Sequence, residues 1–453
     1  MTGSDALGSA IDAWHAGLTP ELAGESEAWL TEGLRRRGLL FGERPLCTVL
    51  RPRFLTPEQY ALLQERIAVL LGAFDRMLQA ALSNSKLLAQ FGLLDWERTL
   101  ALEDLRIPAS PVSRLDAFFD PADGRLRFTE YNAETPAGAA YNDALTELFL
   151  AIPAAGPFLH THALRPLPAR ANVLHALLAA YQQWSGLRDA PVIGILDWRE
   201  VPTYSEFVLY RDYFTAMGLE CVIADVRECE LVNGRLIAAG TPIDLIYKRV
   251  LIGELVEREG LEHPIVRAVR SGAVCMVNPF RCKILHKKAS LAVLSDERNA
   301  ALFDGPEQRV IAEHIPWTRL VEERTTEFQG KRIDLLPWMA QNRERLVLKP
   351  NDQYGGTGIV LGWEVSDSAW AAAVEQALAE PFIVQERIGL PEESFPSWAE
   401  GTLVYANRIV DTAPFVFGGA YADGCLTRVS TASLVNVTAG GGSTVPTFVV
   451  ERR

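Results

Sequence analysis

Arg114-Leu115-Asp116-Ala117-Phe118-Phe119-Asp120-Pro121-Ala122-Asp123-Gly124-Arg125-Leu126-Arg127-Phe128-Thr129-Glu130-Tyr131-Asn132 is the stretch that decides how the rest of the chain is read. Arg114–Phe119 and Arg125–Tyr131 alternate as two short strands around Asp120-Pro121-Ala122-Asp123-Gly124, a turn-rich connection of the kind that closes a hairpin. Asp116 then sits on the strand next to the one carrying Glu130 and Asn132. Those two residues are two positions apart, so both side chains leave the same face. Two carboxylates and an amide offer hard oxygen donors suited to a cation such as Mg²⁺ holding phosphate oxygens. The plainer alternative is a set of solvated strand residues. Arg114 either pairs with Asp116 or holds a developing oxyanion, because a guanidinium presents several donors in one plane. A helix is expected from about Ala139 to Leu150.

A second stretch lies far downstream, where Leu346–Lys349 reads as a strand ending in Lys349-Pro350. It runs into Asn351-Asp352-Gln353-Tyr354-Gly355-Gly356-Thr357-Gly358. Glycines in this density let backbone N–H groups approach phosphate oxygens, and the lysine adds an ammonium group. A glycine-rich hairpin is the structural alternative. The order is not that of a P-loop, since the lysine precedes the glycines. Between the two stretches, Arg281-Cys282-Lys283 and His286-Lys287-Lys288 form the densest basic patch, which on its own reads equally as a solvated helix face.

The totals set limits. With 453 residues the chain has room for two or three domains, and 48% hydrophobic with 22% charged residues is ordinary for a globular protein. A net charge of −13 argues against a nucleic-acid or anionic-membrane surface. Apolar runs such as Pro191–Leu196 are strand-sized, too short to cross a membrane. The start, Met1-Thr2-Gly3-Ser4-Asp5, lacks the pattern of a secretory signal. The cysteines at 47, 221, 229, 275, 282 and 425 form no CxxC pair, so neither a disulfide framework nor a zinc site is expected, and a reducing cytoplasm is the simplest setting.

Elsewhere the patterning is coarser. Residues 1–100 read as mostly helical, with Thr56-Pro57-Glu58-Gln59 as a helix start and an apolar stripe through Leu62, Ile67, Leu70, Leu71, Phe74, Met77 and Leu78 that is core. Residues 190–250 alternate between strand and helix: Val192–Leu196, the helix Tyr204–Met217, Glu220–Asp225, a tight hairpin around Asn233-Gly234, then Asp244–Tyr247. An open parallel sheet follows from that alternation. Its first strand-to-helix turn, from Asp197 to Thr203, has no GxGxxG, so a dinucleotide site is not supported, although such a turn can touch a substrate. Ile359–Leu361 and Phe382–Val384 read as strands around a helix at Ala369–Leu378. The tail from Thr402 to Val450 is strand-rich and includes Thr438-Ala439-Gly440-Gly441-Gly442-Ser443.

Arg-x-Asp, a hairpin, and then Glu130-Tyr131-Asn132-Ala133-Glu134-Thr135-Pro136-Ala137-Gly138 resemble the metal and catalytic segment of ATP-grasp ligases such as D-alanine–D-alanine ligase. In those enzymes the segment lies near the C-terminus, whereas here it precedes the lysine loop. That order resembles the circularly permuted ATP-grasp proteins and the glutathionylspermidine synthetase group. Gly424-Cys425-Leu426-Thr427-Arg428-Val429 and Gly440-Gly441-Gly442-Ser443 in the tail also match. The resemblance covers roughly 105–453. It implies an α/β and α+β, permuted ATP-grasp fold: a helical N-terminal region at 1–104, the metal-binding part at 105–185, a pre-ATP-grasp open parallel sheet at 186–280 and the ATP-binding part at 281–453.

Carried over residue by residue, the resemblance makes Asp116, Glu130 and Asn132 ligands of Mg²⁺. Arg114 becomes the group that stabilises an acyl-phosphate and tetrahedral intermediate. Lys288 and Lys349 hold ATP phosphates, with Lys283 and Lys287 competing for the Lys288 role, and Gly355, Gly356, Thr357 and Gly358 form the covering loop. Gln385, Glu386 and Ile388 belong to a hinge for adenine, and Glu392 reaches toward the ribose. The activity implied is ADP-forming ligation of a small-molecule or peptide carboxylate to an amine, without the amidase half of the bifunctional glutathionylspermidine enzymes. A non-catalytic nucleotide-binding scaffold and a small-molecule phosphotransferase are the alternatives. No nucleic acid or membrane partner is expected. The identities of acid and amine and the oligomeric state stay open.

Overall fold

A computed structural model describes residues 3–42, 44–432 and 442–453. The part of the tail motif from Thr438 to Gly441 lies outside the described residues, as do Met1 and Thr2 at the start.

The expected hairpin is present as Val112–Asp120 paired antiparallel with Arg125–Asn132. Gly124 closes the turn at φ 73°, and its N–H donates to the Asp120 carbonyl at 2.9 Å. Strand alternation divides this hairpin into two faces. Leu115, Ala117, Phe119, Leu126, Phe128 and Tyr131 are all buried in one apolar cluster. That cluster is shared with the long helix Pro57–Ser83, whose Leu63, Ile67, Leu70, Phe74 and Met77 supply the other half. Burying each such side chain contributes roughly 1.5–3 kcal/mol, enough to fix which face of the hairpin turns inward. The helix starts where the sequence indicates: Thr56 accepts from the Gln59 N–H at 3.3 Å, while Gln59 accepts from the Thr56 N–H at 2.9 Å.

The hairpin is one end of a seven-stranded antiparallel sheet. Next to Val112–Asp120 lies Ala413–Phe417, then Tyr421–Ser430, Thr402–Val410 and Glu392–Ala399, with Gly442–Val445 on the side of Tyr421–Ser430. The two ends of the chain are joined directly, since Thr447–Arg452 runs parallel to Arg53–Leu55 and antiparallel to His162–Pro166. A hairpin early in the chain therefore completes a sheet built from its last strands.

A smaller antiparallel sheet, ordered Thr318–Leu320, Phe382–Glu386, Leu346–Pro350 and Val360–Leu361, carries Lys349 and Gln385. The middle of the chain forms a parallel four-stranded sheet in the order Cys221–Asp225, Ile193–Asp197, Leu245–Lys248 and Cys275–Val277. Helices Tyr204–Ala216 and Arg170–Ser185 pack in its core cluster. The Asn233-Gly234 hairpin also forms, with both residues at positive φ as a two-residue turn of this twist requires. Among the described residues no helix is long and apolar enough to cross a membrane.

Candidate active site

Asp116 and Glu130 are directly opposed across the hairpin, and Arg114 opposes Asn132. All four belong to the face that the apolar residues leave free. Two like charges in register would repel, so the arrangement depends on cations brought in from elsewhere. Arg114 grips Asp116 with two hydrogen bonds, Nε to Oδ1 at 2.6 Å and Nη2 to Oδ2 at 2.9 Å, and donates a third to the Ala137 carbonyl at 2.7 Å. Arg428, 312 residues away in sequence, donates to Asp116 Oδ2 at 2.9 Å. Burial would raise the Asp116 carboxyl, but the two guanidiniums outweigh it and hold it well below its ordinary value. Asp411, 2% exposed, fixes Arg428 in turn, accepting from its backbone N–H at 2.6 Å and its Nε at 2.5 Å.

Glu130 is neutralised from the other side. Lys288 Nζ lies 2.9 Å from its carboxylate and also donates to the Gln353 carbonyl at 2.6 Å. Burial again opposes ionisation and Lys288 restores it, so Glu130 ends below its usual value. Lys349 donates to Gln385 Oε1 at 2.7 Å and to the Thr129 carbonyl at 3.3 Å. Burial lowers Lys349 to about 8, with the Glu130 charge resisting that fall.

Apart from Lys288, which is not among its lining residues, these groups open onto one cavity of about 660 Å³. Arg114, Asp116, Glu130, Asn132, Lys349, Gly355, Gly356, Gln385, Glu386, Ile388 and Glu392 all line it, joined by Asp411 and Arg428. Its far end is apolar, formed by Val347, Ile359, Leu361, Trp363 and Leu390, with the Arg387 guanidinium 4.2 Å from the centre of the Trp363 ring. Ile388 has neither its N–H nor its carbonyl engaged among the described residues. The loop can bend over this cavity because Gly355, Gly356 and Gly358 all take positive φ, where a side chain is strained. Thr357 and Gly358 turn away from it and line a separate cavity of about 490 Å³ behind the loop, so they do not join the others. A Cβ on Gly358 would meet Pro350 at 2.7 Å, which accounts for its glycine.

The basic patch is not a solvated face. Lys283, Lys287 and Lys288 are 3%, 3% and 5% exposed. Lys283 binds Asp352 at 2.7 Å and Glu134 at 3.2 Å, and Lys287 binds Asp352 at 2.7 Å and Glu97 at 2.9 Å. With both committed to carboxylates, Lys288 alone of the three faces Glu130. Glu134, fully buried, also takes Lys248 at 3.0 Å and the Ile252 N–H at 2.7 Å. Arg249 then donates to the Pro136 carbonyl at 2.6 Å, so the segment after the strand Arg125–Asn132 is clamped to the parallel sheet. Sequence reasoning gave no roles to Asp411, Arg428, Lys248 or Arg249. Of these only Arg428 carried a signal, as part of the quoted tail motif.

Asp116, Glu130 and Asn132 present on one face the donor chemistry a divalent cation takes, two ionised carboxylates and an amide, with both Asp116 oxygens already accepting from Arg114 and Oδ2 from Arg428 as well. The Lys288 ammonium beside Glu130 marks this as a point that attracts positive charge.

No family model matches the sequence. Among curated proteins, "Putative glutamate--cysteine ligase 2-3" of Frankia alni is 27% identical over 343 residues, covering 71% of this chain and 36% of that protein. "Putative glutamate--cysteine ligase 2-2" of Frankia casuarinae is 25% identical over 336 residues, with the same coverage. The chain thus spans about a third of the length of the curated relatives it matches. Among solved structures, a glutathione synthetase-like effector from Globodera pallida superposes with a TM-score of 0.60 at 11% identity, covering 95% of this chain and 96% of that one. The mixed α/β architecture expected from the sequence is the one found, and the likeness extends over nearly the full length of both molecules.

Proposed function

We propose that the chain is an ADP-forming, ATP-dependent carboxylate–amine ligase that makes an amide through an acyl-phosphate. One observation carries this reading: two directly opposed carboxylates, each neutralised by cations from distant segments, face a glycine loop, a lysine and an apolar end within one cavity of about 660 Å³. A nucleotide fits that layout. The apolar end with Trp363 and the unengaged Ile388 backbone suit adenine, Glu392 suits the ribose, and Lys349, Gly355 and Gly356 suit the phosphates, with Lys288 set beside Glu130.

Asp116, Glu130 and Asn132 would hold Mg²⁺, which supplies charge neutralisation on the phosphate oxygens when bound. The chain's own residues do the rest. Lys288 and Lys349 draw negative charge off the transferring phosphoryl group, and the cavity walls keep water from the acyl-phosphate. Arg114, its plane fixed by Asp116 and the Ala137 carbonyl, keeps its guanidinium beside the point where the tetrahedral oxyanion develops. An amine expels phosphate and leaves an amide. No nucleophilic side chain is required.

The relatives' names make L-glutamate and L-cysteine the first acid and amine to test, with glutathione as a second acid and spermidine as a second amine, on the resemblance to the glutathionylspermidine synthetase group. The test measures ADP, phosphate and product mass for each pair. Acid- and amine-dependent ADP with a condensed product supports ligation. Phosphorylated product without released phosphate means phosphotransfer instead, and nucleotide binding without turnover for any pair means a scaffold.

A further inference from the structure

In the parallel sheet the first strand, Ile193–Asp197, lies between the second, Cys221–Asp225, and the third, Leu245–Lys248. The winding therefore reverses between the first and third strands. In open α/β sheets, ligands bind outside the carboxyl ends of strands at such a reversal. Asp197 ends the first strand, and Lys248 ends the third with Arg249 just beyond it. The nucleotide cavity uses none of the three.

Asp197 is 8% exposed. Its Oδ1 accepts from the Trp198 N–H at 2.8 Å, and its other oxygen has no partner among the described residues. The residue lines a cavity of about 30 Å³ with Trp198, Arg199, Tyr204, Phe207 and Asp225. That volume suits one water-sized group, such as an ammonium head. Of the cations nearby, Lys248 is committed to Glu134, Arg249 to the Pro136 carbonyl, Arg227 to Asp225 and Arg199 to Glu228, while Arg258 lies over the Trp198 ring. Glu254, from the helix Ile252–Glu259, adds a second negative charge on the side of the glycine loop.

This crevice is tied to the nucleotide loop. Tyr354, which lines the large cavity, donates its hydroxyl to Glu254 Oε1 at 3.2 Å, and the Trp198 indole donates to Glu254 Oε2 at 3.2 Å. The loop over the phosphates and the turn that holds Asp197 thus meet on one carboxylate.

Building on the ligase reading, we propose that this crevice is the subsite for the attacking amine and that the Asp197 carboxylate takes the first proton the amine loses. The amine arrives as an ammonium ion and gives one proton to Asp197. Its freed lone pair forms the C–N bond at the acyl carbon, and the C–O bond to phosphorus breaks, with the electron pair leaving on phosphate. The second nitrogen proton leaves with that phosphate. Burial pushes Asp197 up to about 7, with Arg249 and Lys248 pulling it down and Glu254 adding to the rise, which suits a base working near neutrality.

The test compares the full-length wild type with Asp197→Asn, using L-glutamate or glutathione as acid. One arm supplies L-cysteine or spermidine; the other supplies hydroxylamine, which is already neutral near neutral pH and traps the acyl-phosphate as a hydroxamate. The variant should form amide about a hundredfold more slowly near neutrality. Its rate should climb steadily with pH, where the wild type bends near the Asp197 value, and hydroxamate formation should stay at the wild-type level. Folding is checked by melting. The folded Asp197 value of about 7 lies above the ordinary 3.8, so the folded protein retains that proton between the two and loses stability as pH rises through that window. Asp197→Asn removes this loss and should melt higher than wild type at alkaline pH, with the gap closing under acid. Unchanged amide formation and pH profile, or parallel loss of hydroxamate, overturns the proposal. If the wild type yields neither ADP nor hydroxamate with any pair, the ligase reading fails and takes this subsite with it.

Discussion

Glu130 and Glu134 sit on the same short segment, both largely buried and both paired with lysine, yet they do opposite work. Glu134 is closed: Lys248, Lys283 and the Ile252 N–H surround it, and it is fully buried. Glu130 is open: its side chain is 25% exposed, faces a cavity and, among the described residues, meets only Lys288 at ion-pair distance. A carboxylate whose partners are all supplied by the fold serves architecture. One left with room beside it, and held ionised by cations that can also take phosphate, is available to a ligand.

Glu134→Ala tests the closed half and should have the larger effect. It leaves the Lys248 and Lys283 ammonium groups without their shared counter-charge, and breaking a buried pair on one side costs about 3–5 kcal/mol. Chemical denaturation should show that loss, and survival at wild-type stability would erase the contrast. Glu130→Ala tests the open half. Mg²⁺-dependent ADP formation should fall about a thousandfold, equivalent to roughly 4 kcal/mol of barrier. The denaturation midpoint should fall less than in Glu134→Ala, because one ammonium rather than two loses its counter-charge, Lys288 keeps the Gln353 carbonyl and a repulsion with Asp116 disappears. Near-normal turnover in that variant would remove Glu130 from the metal set.

Lys349→Ala sharpens the comparison on the cation side. Lys349 is bonded to a neutral amide and a carbonyl, so it is less committed than Lys283 or Lys287. Calorimetry with a non-hydrolysable ATP analogue should show binding about tenfold to a hundredfold weaker, near 1.4–2.8 kcal/mol. Lys287→Met should instead destabilise the fold. If both variants lost nucleotide affinity equally, committed and available lysines would not differ.

The open half was legible in the sequence because its signals are local. Period-two alternation and the Asp120–Gly124 turn determine the hairpin, and spacing alone puts Glu130 and Asn132 on one face. The closed half was not. Lys283 and Lys287 read equally as a solvated patch or as rivals of Lys288 for phosphate, because their counter-charges come from Glu97, Glu134 and Asp352, separate segments that only the fold assembles. Asp411 was hidden for the same reason, and so was the role of Arg428, which reaches Asp116 across 312 positions. Thr357 and Gly358 were assigned with their neighbours because a glycine run gives no indication of where the loop turns from one cavity to the other.

Glu254 extends the comparison to a third case, a carboxylate shared by two neutral donors. Its bonds to Tyr354 and Trp198 are both 3.2 Å long, and Tyr354 is 57% exposed, so neither resembles the enclosure around Glu134. A hydrogen bond to a charged group in so wet a position contributes about 1 kcal/mol or less. Tyr354→Phe should therefore leave the denaturation midpoint unchanged. Because the contact joins the glycine loop to the carboxylate that Trp198 also holds, the variant should raise the amine KM severalfold while nucleotide affinity stays as it was. A matching loss of nucleotide affinity would place Tyr354 with the phosphate contacts instead, and no change in either constant would leave Glu254 a surface residue of the sheet domain.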